Sequence, residues 1–595
     1  MTINLKIYVV FISLLAFTKA SYGQHKTARI DAHIHFYDTN RDSSYAFLNN
    51  KKKESNHDLF RPHLQKDFLE VANSSGFNYA YLVEASSRRE DNFWLSKIAS
   101  ESDNILGFTV NLNPLDANFK SDLDALKKNT RFRGVRPRYK GLDFSNPEVL
   151  KQLRELDKRN LVLEMNGLKH VATIAKKYPN MHIVVNHFGG GKLKNGVLQN
   201  EENYKKALQK VASFPNVFMK ISALHTLSGK NNAPKKLKYY KPLLDANLEA
   251  FGPNRLLFGS NWPLSSLRGT YNNAVQILEK YCKTRNDLSE EQLFFNNVRK
   301  AYGLINPTIP TFMELGNDEL RLKLDLRRGG AIAYISKSDV DRNIVNVHDE
   351  GRYIQQSYYG GNIINRQNEG QKKAWSPWSW NPIQVGDCYR NRAEILEYKQ
   401  EGNTLYVKCI PMLWDMKNKA AEAIMEQWTT LEGNVIKVQN KLTCHRTDSI
   451  YGEGKTHNQE LPAVYPISAL NNLYSYFGDK PFTGEPLDNP KVVNLRSGFW
   501  GKYKNNMVTE SWMAFVNDDL WGMGVYSPKC ANFLAGMAKD PGYEAYDSAT
   551  SYMAPIHPAT LNKNTVYEFD YYLIVGELND IRNDIYDLKK SIKTE

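Results

Sequence analysis

The chain has 595 residues, about four times the ~150 residues of a typical domain, so two or more domains are expected. With 42% hydrophobic and 24% charged residues it is neither a collagen, a long disordered chain nor a coiled coil. The formal charge of +14 favours anionic partners, such as an acidic sugar or oligosaccharide. Since the sequence contains no zinc-finger spacing, basic helix or RNA-binding aromatic motif, we expect no nucleic-acid partner.

The N-terminus has the three parts of a secretory signal peptide. Lys6 supplies a positive charge, residues 7–17 are apolar, and Ser21 and Gly23 are the small residues that a signal peptidase reads. This pattern predicts a signal peptide over residues 1–23, cleaved near Gly23. Because the apolar run is shorter than the ~20 residues of a membrane-spanning helix, we expect no transmembrane segment. The mature protein is therefore expected to be periplasmic or secreted.

The first half alternates short apolar runs with stretches of helical periodicity. Eight runs have the length and apolar content of strands, at residues 28–35, 79–84, 105–111, 132–136, 161–165, 182–187, 217–221 and 256–259. Eight strands interleaved with helices predict a parallel (β/α)8 barrel over residues 24–305, with a doubly wound open sheet as the alternative. The chemistry of such a barrel lies at the carboxyl ends of its strands.

The sequence changes character after a connector rich in proline, LINPTIPTF. Beyond it, runs such as LRLKLDLRR and TVYEFDYYLIVG alternate with the two-residue period of half-buried strands. Residues 313–595 are therefore predicted to form a large antiparallel β-sandwich, either carbohydrate-binding or catalytic.

Polar residues gather at the predicted strand ends of the first half. His33 and His35 alternate along the first strand and so share one face, where two imidazoles can hold a divalent metal or orient a substrate oxygen. The later strands end in or near Glu84, Arg136, Glu164, His187, His225 and Asn261. These positions predict one site at one rim of the barrel.

Six motifs, DAHIHFYD, RGVRPRY, VVNHFGG, NVFMKISAL, LLFGSNWP and NNVRKAYGL, follow one another between residues 28 and 305. Through them the chain resembles the amidohydrolase-2 family, and within it the fuconolactonase-like lactonases. The resemblance implies a (β/α)8 barrel that hydrolyses lactones or related bonds. It also implies that His33, His35 and His187 are catalytic or metal-binding, and that Arg136 grips a substrate carboxylate with its planar guanidinium.

Asn261 departs from this pattern. It stands where the family has an Asp that binds metal and takes a proton from water, whereas an amide has no such basicity. Either Glu164 or Glu84 is the base and Asn261 positions water or substrate, or the barrel catalyses elimination or decarboxylation, or it only binds. Asn261 also leaves two alternatives for a metal. His33, His35 and His187 with one water would suit one divalent metal such as zinc, or the site binds no metal.

The second half contains a further candidate site. Within the polar run 346–361, His348 or Tyr358 could act as acid or base while Arg352 neutralises a sugar carboxylate. His457 could converge on the same face, and Trp378 could stack on a sugar ring. The alternative is a scaffold rich in Tyr and Trp with internal hydrogen bonds.

These patterns together favour an exported carbohydrate-active enzyme. The expected reaction is hydrolysis of a sugar-derived lactone or ester-like bond in polysaccharide breakdown, with Glu164 as the base. The first alternative is a lyase or dehydratase that acts by β-elimination on acidic, uronate-containing oligosaccharides through the second half. The second alternative is a non-catalytic glycan-binding protein.

Overall fold

The computed structural model describes residues 28–41, 45, 48, 57–139, 142–362, 365–375, 380–446, 451, 455–491, 508–528, 530–538 and 540–592. The predicted signal peptide and Trp378 lie outside these residues. The chain divides into two compact units, Met1–Leu304 and Ile305–Glu595. Throughout the described part of the chain, every helix is too short or too polar to span a lipid bilayer.

The described part of the first unit contains a parallel sheet of eight strands whose spatial order follows the chain. They are β1 Arg29–Ile34, β2 Phe77–Val83, β3 Ile105–Val110, β4 Phe132–Val135, β5 Val162–Asn166, β6 Ile183–Asn186, β7 Val217–Ser222 and β8 Leu256–Gly259. A two-residue ribbon, Leu193–Lys194 with Val197–Leu198, lies between β6 and β7.

The first strand also meets the segment that follows the last one. The backbone nitrogen of Asn261 donates to the carbonyl oxygen of His33 at 2.8 Å, and that of His35 donates to Trp262 at 2.9 Å. The sheet is therefore nearly closed, like a barrel, which overturns the doubly wound open sheet considered above.

Helices connect these strands. They are α1 Gln65–Ala72, α2 Arg89–Ser100, α3 Phe119–Lys127, α4 Pro147–Gln152, α5 Arg154–Lys158, α6 Val171–Lys177, α7 Glu201–Ala212, α8 Leu224–Leu227, α9 Leu237–Phe251, α10 Tyr271–Lys283 and α11 Asn297–Tyr302. The sheet and the apolar faces of these helices share one large hydrophobic core. A smaller cluster joins Ile30, Tyr81 and Phe218 of the strands to Val298 and Tyr302 of α11. The strands are continuous apolar runs because both their faces are covered.

The second unit is antiparallel. Its strands are β9 Phe312–Gly316, β10 Leu320–Asp325, β11 Ala331–Lys337, β12 Gln355–Ser357, β13 Pro382–Ile383, β14 Glu394–Glu401, β15 Thr404–Ile410, β16 Met412–Leu413, β17 Ala423–Glu432, β18 Val435–Cys444, β19 His457–Ala463, β20 Asn472–Tyr474, β21 Trp512–Val516, β22 Trp521–Tyr526, β23 Phe533–Ala538, β24 Thr550–Ala559 and β25 Val566–Glu577, followed by helix α12 Leu578–Ile592.

These strands form three sheets within the described residues. The first contains β9, β10 and β11, the second has the order β16-β13-β12-β19-β24-β23, and the third has the order β14-β15-β17-β18-β25-β22-β21-β20. One hydrophobic core takes side chains from all three, including Leu322 of β10, Leu461 of β19 and Val438 of β18. The alternating burial of β17 and β18 is the two-residue period that the sequence shows. That the sheets form a sandwich stays a prediction.

Candidate active site

Three imidazoles meet at the carboxyl ends of β1 and β6. Nε2 of His33 lies 3.2 Å from Nε2 of His35, and the ring centroids of His33 and His187 are 4.6 Å apart. His33 and His35 are buried, whereas His187 is half-buried. The structure thus brings together the three histidines that the sequence singles out, and their catalytic role stays a prediction.

All three imidazoles are neutral near pH 7. Burial, followed by the positive charge of Arg136, lowers the pKa of His35 to about 3. Burial and then Lys220 lower the pKa of His33 well below its usual value, and burial and then Arg136 do so for His187. A neutral imidazole offers one N–H donor and one acceptor nitrogen, but a lowered pKa makes it a weak base.

The neighbours of each ring fix which nitrogen carries the proton. Nδ1 of His35 lies 2.9 Å from the carbonyl oxygen of Val83 and 3.1 Å from that of Glu84, so this nitrogen donates. Nζ of Lys220 lies 3.3 Å from Nδ1 of His33, and an ammonium group only donates, so that nitrogen accepts. We assign the proton of His33 to Nε2, directed at Nε2 of His35, because the Lys220 contact at Nδ1 is shorter than the 3.5 Å approach of Arg136 NH1 to Nε2.

Two site residues have a left-handed backbone. Asn261 follows β8 with φ 64°, and His187 follows β6 with φ 52°. Such angles cost a residue with a side chain roughly 1–3 kcal/mol and are concentrated at functional sites. Oδ1 of Asn261 lies 3.1 Å from Nε2 of His35, so the amide is in the site.

Arg136 bridges a carboxylate and an imidazole. Its Nε donates to Oε1 of Glu84 at 2.6 Å, and its NH2 group donates to the Glu84 carbonyl oxygen at 2.9 Å. Its NH1 group lies 3.5 Å from Nε2 of His33. Because Nε and NH2 donate to Glu84, NH1 is the group of the guanidinium that could donate a hydrogen bond to a substrate oxygen.

Glu164, the base expected from sequence, is fully engaged. Its Oε1 accepts from Tyr302 at 2.7 Å and Thr109 at 3.0 Å, and its Oε2 accepts from Lys220 at 3.0 Å and Asn186 at 3.1 Å. Burial raises the pKa of this carboxyl, but the positive charges of Lys220 and Arg136 outweigh it and hold the pKa below its usual value. The filled acceptor positions and the lowered pKa argue against Glu164 as the base, and its assignment stays a prediction.

The residues present do not fit a resident divalent metal. An imidazole that binds a metal normally donates its other N–H to an acceptor, as His35 does, but Nδ1 of His33 faces the ammonium group of Lys220. Asn261 offers an amide where a carboxylate would complete the ligand set. Over the described ranges, no three His, Cys, Asp or Glu side chains are arranged to hold a metal ion. The metal set predicted from His33, His35 and His187 is thus unsupported by the donor chemistry.

Sequence reasoning missed two residues of β7. Nζ of Lys220 contacts His33, and Oγ of Ser222 lies 2.8 Å from Nδ1 of His187 and accepts its backbone N–H at 3.1 Å. The available signal is a charge inside the apolar run NVFMKISAL. His225, in contrast, has its Nε2 3.2 Å from Oδ1 of Asn273.

In the second unit, Tyr358 is a core residue. Its side chain is fully buried within the main hydrophobic core, and its hydroxyl donates to Oε1 of Gln356 at 2.9 Å. Burial raises the pKa of this phenol well above its usual value. The burial and the raised pKa argue against Tyr358 as an acid or base, and that role stays a prediction.

The other residues expected there have separate partners. His348 is exposed with Nδ1 2.8 Å from the carbonyl oxygen of Tyr546, and Nε2 of His457 lies 3.0 Å from that of Gly361. Buried Arg352 donates from NH1 to Oδ1 of Asn346 at 3.1 Å.

A buried carboxylate lies on β19, three residues after His457. Glu460 is 6% exposed and accepts from the hydroxyls of Tyr359 at 3.0 Å and Tyr552 at 2.8 Å. Burial raises its pKa to about 7. The motif HNQELPAVYP gives no signal of this beyond an acid within an apolar strand.

Comparison with known proteins adds to this geometry. The model of the amidohydrolase family matches residues 30–304. An L-fucono-1,5-lactonase of Burkholderia ambifaria is 28% identical over 256 residues, which are 41% of this chain and 83% of that protein. One of Burkholderia multivorans is 24% identical over 294 residues, 47% of this chain and 97% of that protein. A crystal structure of an amidohydrolase from Burkholderia multivorans with bound zinc covers 47% of this chain and all of that chain, at 21% identity and a TM-score of 0.41.

The family match ends with the first unit, and no family model matches the C-terminal half. Together with the lactonase relatives, the match over residues 30–304 supports a lactonase-like hydrolase in the first unit.

Proposed function

We propose that the first unit hydrolyses a sugar-derived lactone to its hydroxy acid. The observation that carries this proposal is the meeting of three neutral imidazoles with the Arg136 guanidinium at the carboxyl ends of the strands. The relatives that are L-fucono-1,5-lactonases support the same reaction. A lactone carbonyl needs donors for its oxygen, and a water needs an acceptor for its proton.

The donors come from two residues. NH1 of Arg136 and Nε2 of His33 are 3.5 Å apart, so one carbonyl oxygen can accept from NH1 and share the Nε2–H of His33 with His35. Because both groups are held by buried partners, they need little reorganisation when charge develops on that oxygen. Arg138, which is less buried and lies 3.6 Å from Oε1 of Glu84, adds positive charge for an acidic substituent of the sugar.

We further propose export to the periplasm or outside the cell and a role in polysaccharide breakdown. The tripartite N-terminal pattern supports export, and the net charge of +14 supports an anionic carbohydrate. Expression of the full chain in a bacterial host, followed by fractionation and N-terminal sequencing, tests both export and cleavage near Gly23.

The proposed reaction is tested with purified protein and a panel of sugar 1,5-lactones, including L-fucono-1,5-lactone, at pH 7. Acid release is followed with a pH indicator against the spontaneous rate. We expect turnover that His33→Ala reduces by at least ~100-fold, because the variant loses a donor to the carbonyl. Equal rates for the wild type, the variant and buffer would end the proposal.

A second candidate function is β-elimination on uronate-containing oligosaccharides by the second unit. The observation that favours it is the buried Glu460, between the hydroxyls of Tyr359 and Tyr552, since a carboxyl with a pKa near 7 can exchange protons. Elimination makes a conjugated double bond that absorbs ultraviolet light, whereas lactone hydrolysis does not. Oligosaccharide binding without any turnover would instead indicate a glycan-binding role for this unit.

A further inference from the structure

The proposed lactonase reaction leaves the proton acceptor unassigned. The amide of Asn261 cannot take a proton from water. Glu164 is saturated by four donors, and burial lowers the pKa of all three site imidazoles. A second buried carboxylate at the strand ends could accept the proton from water.

Glu84 is such a carboxylate. It follows β2 directly, is 3% exposed, and its carbonyl oxygen contacts the ring of His35 at 3.1 Å. Its Oε1 accepts from Nε of Arg136 at 2.6 Å. Both contacts place this residue next to the imidazoles rather than elsewhere in the barrel.

The other oxygen of this carboxylate has no partner. Among the described residues, Oε2 of Glu84 is a buried atom without a hydrogen bond. A buried acceptor left unsatisfied costs free energy, and in native proteins such an atom has a functional or solvent-related reason. Burial also raises the pKa of Glu84, although Arg136 and Arg138 oppose this, so the carboxylate is a better proton acceptor than Glu164.

We infer that Oε2 of Glu84 is the general base of the lactonase reaction, in place of the absent Asp at position 261. One O–H bond of water breaks, its proton goes to Oε2, and the water oxygen forms a bond to the lactone carbonyl carbon. The carbonyl π electrons move to the oxygen held by Arg136 and His33. When they return, the ring C–O bond breaks and the leaving oxygen takes the proton from Glu84, giving the hydroxy acid. This inference rests on the proposed function.

Glu84 could instead act only by holding Arg136, and one substitution separates the two roles. Glu84→Gln keeps an Oε1 that accepts from Nε of Arg136 and keeps the carbonyl oxygen that NH2 contacts, but removes the basic oxygen. Asn261→Asp introduces a carboxylate 3.1 Å from Nε2 of His35. The other nitrogen of this ring, Nδ1, contacts the Glu84 carbonyl oxygen.

The experiment measures kcat and KM for the best lactone with wild type, E84Q, N261D and the E84Q/N261D double variant, each checked by circular dichroism and thermal melting. We expect E84Q to lower kcat by about 10²–10⁴-fold, the contribution of a general base, with little change in KM. The double variant should recover at least tenfold of that loss. In parallel, added formate should raise the rate of E84A, because formate supplies the carboxylate that this variant lacks.

Two results would overturn the inference. One is an E84Q variant that retains kcat within threefold of the wild type. The other is an inactive E84Q variant for which neither the double variant nor formate with E84A restores any rate, since a missing base should be replaceable by another carboxylate. A wild type inactive on every lactone would instead overturn the proposed function itself.

Discussion

Nζ of Lys220 lies 3.3 Å from Nδ1 of His33 and 3.0 Å from Oε2 of Glu164. Both charged side chains are fully buried. Burial lowers the pKa of Lys220 to about 8 despite Glu164, so at pH 7 the amine is still mostly charged. The ion pair therefore keeps the ammonium group of Lys220 at Nδ1 of His33, while Nε2 of His33 faces His35.

We expect Lys220→Met to lower the free energy of unfolding by about 3–5 kcal/mol, because removal of one partner leaves Glu164 charged and buried. It should also lower lactone turnover, because His33 loses the contact that places its proton on Nε2. Urea unfolding and the ¹⁵N chemical shifts of the imidazole measure the two effects.

The matched control for that substitution is the double variant K220M/E164Q. Because it removes both charges, it should recover part of the lost stability while the ¹⁵N signature of His33 stays altered. A single K220M variant as stable as the wild type, with an unchanged imidazole spectrum, would contradict the interpretation of this contact.

Chelation tests the metal argument. Because His33 faces an ammonium group and Asn261 replaces a carboxylate, EDTA treatment followed by dialysis should leave lactone hydrolysis within twofold of its initial rate. The metal content before and after treatment is measured by mass spectrometry. A loss of more than tenfold that added zinc restores would mean that the donor set does hold a metal.

Asp31 makes the stability of the first unit depend on pH. Its Oδ1 accepts from the backbone nitrogens of His33 at 3.0 Å and Ser260 at 2.9 Å, and Oδ2 accepts from Tyr271 at 3.1 Å. Burial nevertheless raises its pKa from 3.8 to about 6. The folded state thus binds this proton more tightly, so the contribution to stability is fully present below pH 3.8 and is lost as the pH rises through 6.

Asp31→Asn should remove this dependence, since the amide oxygen still accepts both backbone N–H groups. Relative to the wild type, the variant should gain about 2 kcal/mol of unfolding free energy between pH 4 and pH 7, from ~1.36 kcal/mol per pKa unit. Urea unfolding at pH 4.5, 6.0 and 7.5 measures this. Parallel curves for both proteins would show that Asp31 keeps an ordinary pKa.

Gly259 leaves room for His33. A Cβ atom at position 259 would lie 2.6 Å from Cβ of His33 and 3.1 Å from Cβ of Ser222. Gly259→Ala should therefore displace both strands, lower the unfolding free energy by about 1–3 kcal/mol and reduce kcat.

The control is Gly316→Ala in the second unit, where the nearest atom would be 3.7 Å away. This change should leave both stability and turnover close to those of the wild type. If the two alanine variants behaved alike, the close approach at Gly259 would have no consequence.

The barrel strands were predictable because each is a short apolar run covered on both faces. The predicted and observed bounds of the eight strands differ by at most two residues at either end, and the last strand, 256–259, agrees completely. His33, His35, His187 and Arg136 could be placed together because strand ends of one parallel sheet share an edge.

The base could not be chosen from sequence. Glu164 lies in β5 and Glu84 directly follows β2, and only the contacts show that Lys220 neutralises Glu164 while Glu84 keeps an oxygen without a hydrogen bond. In the second half, His348 and Tyr358 stand in one polar run, yet the first is exposed and the second lies in the core. Strand pleating and loop conformation decide which of these side chains is exposed, and the spacing of residues in the sequence does not predict it.

The meeting of the first and last strands coincides with the site. Two backbone hydrogen bonds join them there, from Asn261 to the oxygen of His33 and from His35 to the oxygen of Trp262. Local opening of these two hydrogen bonds would separate the site residues, while the other seven strand pairings of the sheet remain intact. A ligand that contacts both strands would stabilise these two hydrogen bonds. Slower hydrogen exchange of the Asn261 and His35 amides would therefore measure ligand binding directly.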